Sequence, residues 1–180
     1  MNKLILAVIL VVTTHLLNGS LYAEPYNWKQ VVAGGGGFVT GLVYHPLEQN
    51  LMYSRTDMGG AYRWNEAAQA WIPLTDMLVR DNSDFMGILA MAVDPSDTER
   101  VYMLCGKYTQ DWAGTGAVLS SADRGNSWTI NNVPFKVGGN EEGRGAGERI
   151  AVDPNLGTIL FAGTSGSYPN GLWRSTNRGA

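Results

Sequence analysis

The chain is poor in cysteine, histidine and charge. Its one cysteine, Cys105, lies in the apolar stretch VYMLCG, so no intrachain disulfide braces the fold and the core must hold it. In that setting Cys105 reads as a small buried hydrophobe. Only two histidines are present, and His15 falls in the N-terminal leader. A lone His45, in VYHP, makes neither a metal site nor a catalytic triad and reads as a turn residue. Charged residues make up 16% and the formal charge is −3, which leaves no basic stripe to hold nucleic acid. The glycines at 34–37 are not followed by Gly-Lys-Ser/Thr, so a nucleotide-phosphate loop is excluded. The GGGGFVTG segment reads either as a cleft wall, where bare backbone lets a ligand approach, or as a bend entering the first strand. Long apolar runs are also missing. After Lys3, LILAVILVV is too short to span a bilayer and is broken by Thr13, Thr14 and His15. With small Ala23 at its end, residues 1–23 are expected to be a secretory signal peptide. Its removal takes away Lys3 and no acid, lowering the charge from −3 to −4. The expected location is extracellular or periplasmic, without membrane association after cleavage.

What is there points to β-structure. Hydrophobic residues reach 44%, with 23 glycines and 10% aromatics, which suits a packed fold with many turns. Three segments resemble one another. Each opens on an apolar strand ending at His45-Pro, Asp94-Pro or Asp153-Pro, spaced 49 and 59 residues apart. A second strand follows (NLMYSRT, RVYMLCG, TILFAGT), then a third (GGAYRW, GAVLSS, NGLWRS). These periods are those of propeller blades with loop insertions. The second repeat ends in SSADRGNSW, where Ser121, Asp123, Gly125 and Trp128 form the S-x-D-x-G-x-x-W pattern of an Asp-box. The aspartate there suits a tight turn, the glycine a positive φ and the tryptophan packing between strands, all structural roles. The first repeat keeps only Trp71, and the third retains Ser175, Asn177 and Gly179. A propeller closes with roughly 4 to 8 blades. The expectation is therefore an all-β chain whose residues 24–180 are an incomplete N-terminal β-propeller of about three blades.

RTDMGGAYRW, residues 55–64, supports two readings. Asp57 caps a turn before Gly59 and Gly60, with Arg55 its surface partner and the aromatics in the core. Alternatively, Arg55 and Asp57 share a strand face, the guanidinium keeps the carboxylate charged, and Asp57 serves as a general base. Tyr62 and Trp64 would then offer a flat surface on which a sugar ring stacks.

Taken together, YNWKQVVAGGGGFVTGLVYHP, YSRTDMGGAYRWNEAAQAWIPLTD and GRGAGERIAVDPN…GLWRST resemble glycoside hydrolase family 74, the xyloglucanases. The resemblance covers essentially everything after the leader. It implies two seven-bladed propellers facing each other across a cleft that binds xylose-branched β-1,4-glucan. Cleavage would proceed with inversion by two aspartates and no metal or cofactor. Asp57 matches the base in the family's R-T-D-x-G-G-A-Y-R-W segment; the acid lies on the second propeller, outside these residues. Inverting hydrolysis places its two carboxyl groups roughly 6.5–9.5 Å apart, with a water between. This segment alone is therefore expected to be inactive, and its partner is the missing C-terminal propeller of the same chain. One departure stands out: after WIPLTD many members carry a D-D-W-N loop, whereas here RDNSDFMG puts Ser83 at the ring's position.

KVGGNEEGRGAGER, residues 136–149, reads as a solvated loop, the alternative being a loop that reaches the cleft and hydrogen-bonds sugar hydroxyls. Tyr108 and Trp112 lie in the inter-strand loop equivalent to Asp57's turn, where they extend a sugar platform or pack against a neighbouring blade. The expected activity is xyloglucan hydrolysis in the full-length protein. The alternative is a non-catalytic Asp-box propeller binding a polysaccharide or protein. A sialidase would need an arginine cluster and a nucleophilic tyrosine, neither of which this segment reveals.

Overall fold

The computed structural model describes residues 27–31, 34–156, 158–162 and 171–179. The expected signal segment lies outside the described residues. The chain divides into two compact units, Met1–Gln30 and Val31–Ala180. Of the first, residues 27–30 are described; they are exposed and carry no regular structure.

The second unit is built from antiparallel sheets whose strands follow one another in chain order. The first sheet holds β1 (Val39–Tyr44), β2 (Met52–Thr56), β3 (Ala61–Asn65) and β4 (Ala70–Pro73). The second holds β5 (Ile88–Asp94), β6 (Asp97–Cys105), β7 (Ala117–Ser121) and β8 (Thr129–Asn132). The third holds β9 (Ile150–Val152), β10 (Ile159–Ala162) and β11 (Leu172–Ser175). The strands of the three repeats fall on β1–β3, β5–β7 and β9–β11. The first two sheets add a fourth strand that the repeat pattern does not announce. A 3₁₀ helix, Arg80–Met86, joins them through RDNSDFM and buries only Phe85.

Alternation along β6 shows how the sheets stack. Val101, Met103 and Cys105 enter a cluster with Leu51, Tyr53 and Leu74 of the first sheet and its flanks. Tyr102 and Leu104 face the other way, with Ile150 and Ile159 of the third sheet. The second sheet is thus buried on both faces, and each large apolar side chain placed there stabilises by about 1.5–3 kcal/mol. The leading strands β1, β5 and β9 run beside one another. His45 ties two of these repeats: its buried ring takes the Leu47 N–H at Nδ1 and meets the Asp94 carbonyl through Nε2, 2.9 Å away. It is a turn residue, as its place before Pro46 suggested, and a bridge between sheets as well. Burial pushes the Cys105 thiol far up from its ordinary range, so it stays a neutral apolar group.

At SSADRGNSW, Asp123 accepts the Ser121 hydroxyl (2.7 Å), the Ser127 N–H (2.8 Å) and the Ser127 hydroxyl (2.6 Å). Gly125 takes φ +88° and Trp128 donates from its indole to the Leu74 carbonyl at 3.0 Å. The turn at Ser175–Gly179 repeats the serine contacts with Asn177 in place of the aspartate.

Candidate active site

β2 ends at Thr56, and the chain reverses through Asp57–Gly60 into β3. Thr56 closes the turn with its backbone and hydroxyl: Gly59 N–H donates to Oγ1 at 2.8 Å, and Oγ1 donates to the Gly60 carbonyl at 2.9 Å. Both glycines are required here. A Cβ on Gly59 would fall 1.7 Å from the Gly36 carbonyl oxygen, and Gly60 has φ +81°. The glycine run before β1 therefore presses directly on the turn. It also lines a mainly apolar cavity of about 230 Å³, through Gly35–Gly37 with Tyr62 and Trp71.

Asp57 is held from two sides. Its N–H donates to the Phe38 carbonyl at 3.1 Å, and its Oδ1 accepts the Phe38 N–H at 2.8 Å. Its Oδ2 lies 3.3 Å from Nε of Arg144, and the carboxylate side chain is 12% exposed. The Arg144 N–H is not aimed for a hydrogen bond, so the contact is charge pairing. The expectation that Arg55 partners Asp57 is overturned. Asp57 lies beyond the strand, where two-residue alternation no longer sets its direction. Arg55, fully buried, turns inward instead. It donates to Glu148 at 2.7 Å, to the Thr40 hydroxyl at 2.7 Å, and to the Arg144 carbonyl at 3.1 Å. Glu148 completes its own bonding by accepting the Met91 N–H at 2.5 Å.

A second loop reaches this turn. Tyr108 stacks at a tilt on Trp112, centroids 5.1 Å apart, and its hydroxyl lies 3.7 Å from the sulfur of Met58. Asn140 donates to that hydroxyl at 2.8 Å. Trp112 is 71% exposed. Asp57 thus has an open aromatic surface beside it, formed by the loop between β6 and β7.

Comparison with known proteins completes the picture. No family model matches the chain. A xyloglucanase of Paenibacillus sp is 52% identical over 160 residues, covering 88% of this chain and 15% of the relative. A xyloglucanase of Acetivibrio thermocellus is 49% identical over 157 residues, covering 86% and 18%. The crystal structure of the GH74 xyloglucanase from Xanthomonas campestris superposes with a TM-score of 0.76 at 50% identity, covering 86% of this chain and 22% of that one. The chain belongs to glycoside hydrolase family 74. It spans 15–18% of the length of the curated relatives it matches.

Within this family-74 segment, the aromatics on β3 do not form the platform expected of them. Tyr62 and Trp64 are both buried, at 5% and 8% exposure. The Tyr62 hydroxyl donates to the Gly59 carbonyl at 2.9 Å, so it braces the turn from beneath; burial, then the charge of Asp76, pushes its phenol up from the ordinary value. Trp64 packs edge-on to Trp71 and donates to Glu66, at the far end of β3 from Asp57. The exposed ring near the turn is Trp112, packed on half-buried Tyr108. The reading of residues 136–149 as a solvated loop holds only in part. Residues 142, 143 and 145–148 are exposed, yet the run supplies Asn140 to Tyr108, Glu141 to the N–H and hydroxyl of Thr109, Arg144 to Asp57 and Glu148 to Arg55. The only signal in the sequence was a density of charge between glycines.

Proposed function

We propose that this segment is part of an inverting glycoside hydrolase acting on the β-1,4-glucan backbone of xyloglucan, with Asp57 as the general base. The observation that carries the reading is the placement of Asp57. Its carboxylate is fixed by the Phe38 N–H and Arg144, on a turn that half-buried Tyr108 and exposed Trp112 reach through Met58. A glucan chain stacked on those rings brings an anomeric carbon near a carboxylate that activates water. The relatives named xyloglucanases support the substrate class. The acid that protonates the leaving oxygen comes from sequence outside these 180 residues, so this chain alone performs no hydrolysis. In the same reading the three sheets are successive propeller blades, with SSADRGNSW an Asp-box, and the protein acts outside the cytoplasm. The test is Asp57→Ala in a complete enzyme carrying this segment. General-base loss costs about 10²–10⁴-fold in turnover, and the circular dichroism spectrum is expected to be unchanged. Wild-type-like turnover would end the assignment.

A non-catalytic polysaccharide-binding role is favoured by one feature, the exposure of Trp112. It predicts that Asp57→Ala changes nothing while Trp112→Ala abolishes retention on xyloglucan.

A further inference from the structure

We propose that Arg144 is a positioning residue for the Asp57 carboxylate, and that buried Arg55, paired with the partly exposed Glu148, holds the strap that carries it. The inference rests on Asp57 being the base.

The strap is the turn-rich run from Gly143 to Glu148, made entirely of glycine, alanine and charged residues. Left to itself such a run is held by little besides short turns, such as Ala146 N–H to the Gly143 carbonyl at 2.9 Å. Arg55 fixes it from below. The guanidinium donates to two strap carbonyls, Arg144 at 3.1 Å and Gly147 at 3.4 Å, and to the Glu148 carboxylate that ends the strap. Its remaining donors go to Thr40 and to the Ile88 carbonyl, so the second sheet and the entry to β1 are tied to the same group. The sequence makes space for this. Thr40 sits at an irregularity in the β1–β2 register, and at Gly41 an added Cβ would lie 2.6 Å from both Arg55 Nε and Glu148 Oε1.

With the strap fixed, Arg144 has a defined direction. Its Nη1 donates to the Glu141 carbonyl at 3.0 Å and its guanidinium lies 5.8 Å from the centre of the Phe38 ring. Phe38 is the residue whose N–H holds Asp57 Oδ1. Arg144 and the Phe38 backbone therefore each meet one of the two carboxylate oxygens. The buried Nε makes no aligned hydrogen bond and faces Oδ2 at 3.3 Å. A carboxylate so clamped presents a fixed lone pair to a water, and misplacing such a group by about 1 Å costs on the order of 10²-fold in rate.

The experiment compares Arg144→Met, Arg144→Lys, Glu148→Gln and Asp57→Asn in the complete enzyme, with kcat and KM on xyloglucan and the thermal midpoint for each. Arg144→Met is expected to lower kcat roughly 10- to 100-fold with KM within about twofold. Arg144→Lys recovers part of the loss, and the midpoint hardly moves for either. Glu148→Gln lowers both kcat and the midpoint, because the strap loosens. Unchanged kcat in Arg144→Met, or raised KM with kcat retained, overturns the positioning role. A lowered midpoint in Glu148→Gln with wild-type kcat overturns the part given to the strap. Asp57→Asn separates the two layers. If it is inactive while Arg144→Met is normal, only this inference falls; if it is active, the base assignment falls as well.

Discussion

At single residues the site is tuned by what has no side chain as much as by what has one. Gly41 leaves the room that the Arg55–Glu148 pair fills. Arg55 is fully buried and bonded on several sides, so it cannot swing aside for a methyl group. Gly41→Ala is therefore expected to cost about 1–3 kcal/mol, read from the urea midpoint, and to lower kcat in the complete enzyme by disturbing the strap. Tyr53 illustrates the opposite case, a polar atom in the core. Its hydroxyl is buried and has no hydrogen-bond partner among the described residues. Burial pushes the phenol up from 10.0 to about 12, with the nearby guanidinium of Arg63 working against it. The folded value lies above the unfolded one, so the stability linked to this group is complete below pH 10. It is lost as pH rises toward about 12. Tyr53→Phe is expected to retain or slightly raise stability at neutral pH and to flatten the alkaline loss, as measured by unfolding across that range.

Among the elements, the turn after β7 joins local chemistry to sheet packing. The bonds to Asp123, chiefly from the Ser127 and Ser121 hydroxyls, hold its carboxyl below the usual carboxylate range. A depressed value stabilises the fold above the unfolded pKa, and this contribution is lost as pH falls through the folded one. Asp123→Asn is expected to keep the turn, as Asn177 does in the following repeat, and to remove that acid-side loss. Trp128, at the end of the turn, donates to Leu74 at the edge of the first sheet. Trp128→Phe keeps most of the ring and loses that bond. A cost of about 1 kcal/mol is expected, measured by chemical unfolding.

Across the whole molecule, the second sheet shields both its faces while the first does not. Val39, Leu42 and Tyr44 of β1 remain at least half exposed. The reaction assigned to Asp57 needs a second carboxyl group on the other side of the glycosidic bond. The 180 residues assayed alone on xyloglucan are accordingly expected to release no reducing sugar. Release of reducing sugar by this chain alone would require both carboxylates to lie within it and would overturn the two-propeller reading.

Strand positions, the turn at SSADRGNSW and the candidacy of Asp57 were legible in the residues, because alternation, tight-turn chemistry and a dense local motif act over a few positions. The family resemblance rested on the same short-range text. Reading stopped where partners come from afar. Two-residue alternation assigned Arg55 to Asp57, yet it does not extend past the strand end at Thr56, and Arg55 instead pairs with Glu148 93 residues on. Burial likewise sorted the aromatics: Tyr62 and Trp64 went to the interior because neighbouring elements cover them, and Trp112 was left open on a loop. The sequence by itself determined the β-repeat, its turns and the candidate carboxylate. Only the stacking of sheets decided which cation faces that carboxylate and which rings stay exposed, since a charged side chain pairs with whatever packing brings within a few ångströms.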